Sequence, residues 1–392
     1  MFKNILILGL LCTVLTAQES EIDFDTFLQK ALSQSPYLAS STLAISQAKE
    51  LGSSLTRYKN PSLELEYSSF NPAYGDTESG YRVNYSQDIR LWGVGDDKTE
   101  LSQNMSKSAT ALHTSKKALF IRNIALSFTT YAEKKMLLKL GDEELSISQK
   151  IYDISQARYS AGTISKALLL QSSIDHELIS IQNSSLALAT NQAYYQLLQF
   201  GGITQELKLN TSHTFILKPQ NRLNNPNIKL LQADKQRALS KAKVNSNSVE
   251  WVQLIAEYEN EPDQNIARVG LSFPLAIFNT KTQEKNIATL EASRSQLLIE
   301  NENKSLIIEF NRLQKERLSL EELLYKNRDL LKSELKLLDM FQNGYKISNI
   351  NLLQLQDIKN KMITTKRTII HLKTALNKNA ITTNYNQGQY ND

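Results

Sequence analysis

The stretch YSAGTISKALLLQ, Tyr159 to Gln171, has a counterpart far downstream in FQNGYKISNINLLQ, Phe341 to Gln354. Each has an aromatic, two residues, a glycine, an Ile-Ser pair and then a leucine run ending in glutamine. Gly162 and Gly344 are 344 − 162 = 182 positions apart. Both stretches read as reversals between long helices. A glycine in the left-handed region ends a helix without a Cβ penalty, and a serine side chain accepts from the first free amides of the next. Gly162 and Gly344 are therefore expected to be left-handed, with Ser165 and Ser348 as N-caps of the return helices. Tyr159 and Phe341 open the two tips, spanning about 159–165 and 341–350. The second has one more residue between glycine and serine, so the two turns are not expected to be identical.

The echo continues outward. SPYLASSTLAISQA begins at Ser35 and NPNIKLLQADKQRA at Asn225. PSLELEYSSF (61–70) answers EWVQLIAEYE (250–259), and YRVNYSQDIRLW (81–92) answers ARVGLSFPLAIF (267–278). Landmarks recurring in one order at a near-constant offset mark an internal duplication, with a period too long for a solenoid. The chain divides into residues 18–202, a linker at 203–224, a second repeat at 225–380 and a tail at 381–392, whose NYNQGQYND composition reads as disordered. The linker is expected to wrap the outside of the helices with a short strand or two.

Each repeat reads helix, strand, strand, very long helix, tip, long helix. The fold class is mainly α with a small β part: tandem repeats of long antiparallel coiled-coil hairpins plus two β-strands each. Only 13 glycines and 7 prolines occur in 392 residues, and none of the prolines lies between Pro72 and Pro219 or after Pro274, so helices can run uninterrupted. Leu306, Leu313 and Leu320 step by seven, as do Leu323, Leu330 and Leu337, and Leu324, Leu331 and Leu338. That is a coiled-coil period, and adjacent sevens widen the stripe enough to face two neighbours.

The four strand segments, about 61–70, 81–90, 250–259 and 266–275, alternate in polarity. Leu63, Leu65 and Tyr67 oppose Glu64 and Glu66; Tyr81, Val83 and Tyr85 oppose Arg82 and Asn84; Val269 and Leu271 oppose Arg268 and Gly270. One apolar and one charged face suit either the lid of a soluble core or a barrel with lipid outside and water inside. Tyr67, Phe70, Tyr74, Tyr81, Trp251 and Tyr258 fall near strand ends, as an interfacial girdle would.

The opening MFKNILILGLLCTVLTAQES reads as a secretory signal over residues 1–17. Leu11 before Cys12 disfavours a lipoprotein signal, and with Cys12 removed no cysteine remains. The formal charge of +5 is spread along the chain, without the basic block that tracks nucleic acid. His113, His176, His213 and His371 show no metal-ligand spacing, and no catalytic or cofactor motif is found. The chain is read as neither an enzyme nor a cofactor protein.

Taken together, ALSQSPYL, NPSLELEYSSF, YSQDIRLWGVGDDK, VGLSFPLAIFNTKTQEKNIATLEA and the two tips resemble the TolC-like outer-membrane efflux family along essentially the whole mature chain. The resemblance implies a homotrimer in a Gram-negative outer membrane, with a 12-stranded transmembrane β-barrel and a periplasmic α-barrel. It implies passive conduction in concert with a periplasmic adaptor (membrane fusion) protein and an inner-membrane pump of the RND or ABC type. VGLSFPLAIFN is similar to the branch serving heavy-metal RND pumps. The tips at Tyr159, Gly162, Ser165, Phe341, Gly344 and Ser348 would then dock the adaptor and gate the tunnel, although their residues alone favour plain turns. Asp153, Asp175, Asp339 and Asp357, near the tips, are candidates for acidic pore rings; solvation of a helix surface is the plainer reading. A type I protein secretion duct and a soluble periplasmic coiled-coil adaptor or scaffold are the alternatives.

Overall fold

The computed structural model describes residues 21–71, 73–218, 224–347 and 349–391. The signal segment, Cys12 and Ser348 lie outside them. The first half comprises α1 (Phe24–Gln34), α2 (Pro36–Thr56), β1 (Ser62–Phe70), β2 (Glu78–Arg90), α3 (Val94–Ser160) and α4 (Lys166–Gly201). The second repeats that order without a counterpart of α1: α5 (Pro226–Asn245), β3 (Trp251–Asn260), β4 (Asn265–Ser272), α6 (Thr282–Lys346) and α7 (Leu352–Asn386). The repeated Ser-Pro and Asn-Pro start α2 and α5 for one reason. Ser35 and Asn225 accept capping bonds from Leu38 N and Asn227 N, and proline suits the first helical turn because its missing N–H would have no partner there.

The long helices α3 and α6 have 67 and 65 residues, so each runs about 100 Å at 1.5 Å per residue. α3 packs on α2, α4, α5 and α7, while α6 packs on α5 and α7. The leucine sevens divide the work on α6. Leu306, Leu313, Leu324 and Leu338 are buried, and Leu324 meets Ile369 and Leu372 of α7. The adjacent set, Leu323, Leu330 and Leu337, is exposed. One stripe is used within the chain and the other is left open.

The main core lies where α1, α3, α4 and the linker converge, around Phe27, Ile124, Phe128 and Leu197. The expected linker strands reduce, among the described residues, to one parallel bridge between Leu209 and Ile22. Side chains hold the rest: Tyr194 Oη donates to Leu207 O at 2.9 Å, and Asn384 Nδ2 donates to Ile216 O at 2.9 Å. The tail expectation is overturned. α7 continues to Asn386, Gly388 closes it at φ +74°, and Tyr385 is buried. Tyr390 packs on the main core, and burial pushes its phenol up to about 12. The asparagines that made this segment look unstructured are the groups that bind the linker's backbone.

Candidate conduit and hairpin tips

The four strands form one antiparallel sheet in the order β1-β2-β3-β4. Its register places Glu64 opposite Asn84, Glu66 opposite Arg82, Arg82 opposite Glu259, and Glu257 opposite Arg268. These residues share one face, where Arg82 pairs with Glu66, and Arg268 with both Glu257 and Glu259. The other face carries Leu63, Leu65, Tyr67, Val83, Tyr85, Leu254, Val269 and Leu271. No helix packs substantially on the sheet, so this apolar face is bare: Tyr67 is 73% and Val269 81% exposed. A soluble monomer rarely leaves more than a few hundred Å² of contiguous apolar surface open. β1 and β4 are both unpaired edges.

Trp251 corrects the girdle reading. It pairs with Arg90 across β2 and β3, so it lies on the charged face. Arg90 stacks 4.5 Å from the Trp251 ring and 5.0 Å from Tyr58. Its guanidinium also donates to Thr56 O and Arg57 O at 2.9 and 2.8 Å, satisfying carbonyls at the end of α2. Arg90 thus clamps the sheet to the helices. The aromatics that stand free at this junction are Trp92 and Phe278, 98% and 99% exposed. They follow the strands rather than lie in them.

At the far end the two tips differ in mechanism. Gly162 is left-handed at φ +71°. Thr163 N donates to Arg158 O and Gly162 N to Tyr159 O, both at 2.9 Å, the paired bonds of a Schellman close. Ser165 caps α4 by accepting from Leu168 N. Gly344 does none of this: it lies inside α6, and its φ is not positive. A Cβ there would stand 2.5 Å from Ile350 Cγ1. The second glycine is needed for close approach rather than backbone handedness. The return helix α7 is capped by Asn351 in a capping box with Gln354, in place of the cap expected at Ser348.

Tyr345, which the sequence reading passed over, joins the tips. It is buried, its Oη lies 2.8 Å from Ser155 Oγ, and the Arg158 guanidinium sits 4.6 Å from its ring while donating to its carbonyl at 3.1 Å. Phe341 is half-buried against the same apolar cluster, whereas Tyr159 is exposed. Of the four acids, Asp153, Asp339 and Asp357 are exposed. Asp357 pairs with Lys361 at 2.7 Å, and Asp153 accepts from Gln149 at 2.8 Å. Asp175 instead faces α7, where it meets the fully buried Lys359. The structure does not bring the four together.

Three histidines bridge helices. His113 lies 2.7 Å from Ser41 Oγ, His176 3.1 Å from Ser148 Oγ and His371 2.6 Å from Glu133. Among the described residues no group of His, Cys, Asp and Glu is placed to hold a metal ion, and no helix is long and apolar enough to cross a membrane.

No protein-family model and no curated protein matches the chain. Solved structures do. CusC, studied for folding and transmembrane channel formation, superposes with a TM-score of 0.77 at 16% identity, over 93% of this chain and 91% of its own. The chain has the TolC-like outer-membrane channel fold. The Campylobacter jejuni CmeC outer membrane channel gives 0.76 at 15% identity, over 93% and 85%. The Neisseria gonorrhoeae MtrE channel, in its open state, gives 0.75 at 13%, over 93% and 88%.

Proposed function

We propose that this protein is the outer-membrane exit duct of a tripartite efflux system. Three copies contribute four strands each to one 12-stranded barrel, and their helices continue it as a periplasmic tunnel. The observation that carries this reading is the sheet: two open edges, one bare apolar face and one charged face. Open edges are not tolerated in hydrocarbon, and four strands are too few to close a barrel on their own. The exposed Leu323, Leu330 and Leu337 stripe on α6 gives each helical hairpin a surface for the next copy. A soluble scaffold would need the sheet to cover a core, and no helix lies against it.

Conduction is passive diffusion through water, with no bond made or broken. The tips around Gly162 and Gly344 dock a periplasmic adaptor, and an inner-membrane pump supplies the energy. Asp153, Asp339 and Asp357 face water near the narrow end, where they favour cations. Asp175 is the weakest of the four for this role, because it turns toward α7 and a fully buried Lys359, whereas Asp357 and its partner Lys361 are both exposed. Cell fractionation followed by native mass measurement in detergent tests the reading. It predicts outer-membrane material with the mass of three chains; a soluble periplasmic single chain would refute it.

A further inference from the structure

Apart from the sheet and the tips, a cavity of about 410 Å³ opens where the linker crosses α3, α6 and α7. Its polar lining is positive. Arg328 of α6 and Lys373 of α7 both border it, and no carboxylate does. Both cations are exposed, and neither makes an ion pair or hydrogen bond with a described residue. Between them Thr374 lines the cavity. It is only 3% exposed, and its hydroxyl has no partner. A buried hydroxyl left without a partner is uncommon, because it has given up water and gained nothing. His213 completes the rim. Its ring is held edge-on to Phe215 at 4.6 Å and makes no hydrogen bond among the described residues. Phe128 and Met136 form an apolar side.

We infer that this cavity is a binding site for a small organic anion, with one carboxylate or similar acidic group and a compact apolar body. Arg328 and Lys373 take the charge, Thr374 donates to an anion oxygen, and Phe128 and Met136 hold the body. The anion then replaces water on the two exposed cations and supplies the partner that the Thr374 hydroxyl lacks. A volume of about 410 Å³ matches the lower range of small-molecule sites. The site is built from the linker, α3, α6 and α7 of a single chain, so it does not depend on the conduit reading.

The test is ligand-observed ¹⁹F NMR on the full-length protein in its native detergent-extracted state, with 4-fluorobenzoate as probe. Saturable binding is expected, weakened about tenfold in an Arg328→Gln/Lys373→Gln variant through loss of the charge-assisted bonds. A several-fold weakening is expected in Thr374→Val, which keeps the side chain's shape. Lys332→Gln, whose lysine is exposed and pairs with Asp329, should bind as the parent does. Neutral 4-fluorobenzamide should not bind. Equal binding of the amide, unchanged binding in the double variant, or no saturable binding would overturn the assignment. Displacement of the probe by inorganic phosphate at equal concentration would mark a bare oxyanion site and overturn the organic-anion assignment. Circular dichroism of each variant separates lost binding from lost fold.

Discussion

Lys359 of α7 reaches Asp175 of α4 with Nζ 2.7 Å from Oδ2, and the lysine side chain is fully buried. The pair ties the return helix of one hairpin to that of the other, about four helical turns from the first tip. Taking an ammonium out of water is costly, and removing its partner costs more than removing both. Asp175→Asn is expected to lose about 3 kcal/mol of stability. Lys359→Met should stay near the parent, and the double variant should recover most of the loss. Thermal unfolding followed by helical circular dichroism gives the order; equal losses from both single changes would contradict it.

Glu144 of α3 lies in the same region. Burial holds its carboxyl above the usual carboxylate range, against the pull of Lys359 and Arg367. A carboxyl raised in the folded state binds its proton more tightly there than in the unfolded chain. Its contribution is therefore complete below the ordinary value of 4.5, and is lost as pH rises through the elevated folded value. Glu144→Gln, which cannot ionise, should flatten the decline in stability from pH 4.5 upward and raise the melting temperature at pH 7. A steeper decline in the variant would show that the attraction to Arg367 outweighs burial.

The two tip glycines predict different genetics. Gly162→Ala places a Cβ in open space on a left-handed backbone, a cost of about 1 kcal/mol. Gly344→Ala drives a Cβ into Ile350, an overpacking cost of about 2 kcal/mol. Adding Ile350→Ala should relieve the Gly344 variant and leave the Gly162 variant unrelieved. Hydrogen exchange at the tip amides reports each case; relief of both by Ile350→Ala would contradict the distinction.

The charged face of the sheet sets an expected ion preference. Glu64, Glu66, Glu78, Asp88, Glu257 and Glu259 share this face with Arg82, Arg90 and Arg268, six carboxylates against three guanidiniums, a net of 3 − 6 = −3 per chain. In a barrel of several copies this makes a negative wall. Glu64→Gln with Glu257→Gln should lower cation preference, and Arg82→Gln should raise it, as read from reversal potentials in a salt gradient. Unmoved potentials would place the selectivity elsewhere.

What could be read before folding was whatever depends on local backbone demands. The alternation of Leu63, Glu64, Leu65 and Glu66 declared a two-faced strand, and Gly162 with Ser165 declared a stop and a start. Gly344 was misread because its constraint comes from Ile350 against the helix, and the repeat suggested a likeness of handedness instead. Lys359 reads as a surface residue until α4 is known to lie beside α7. Trp251 has the composition of a girdle residue, but register puts it with Arg90. The tail shows the same limit, since Asn384 becomes structural only when Ile216 and Lys218 lie alongside. The cavity beside His213 needs four separate segments and has no local signal at all.

Single-channel recording of the purified protein in a planar bilayer tests the proposed duct most directly. The account predicts discrete, long-lived conductance steps whose ion preference follows the Glu64 and Arg82 variants. A correctly folded protein that stays water-soluble without detergent and adds no conductance would contradict it.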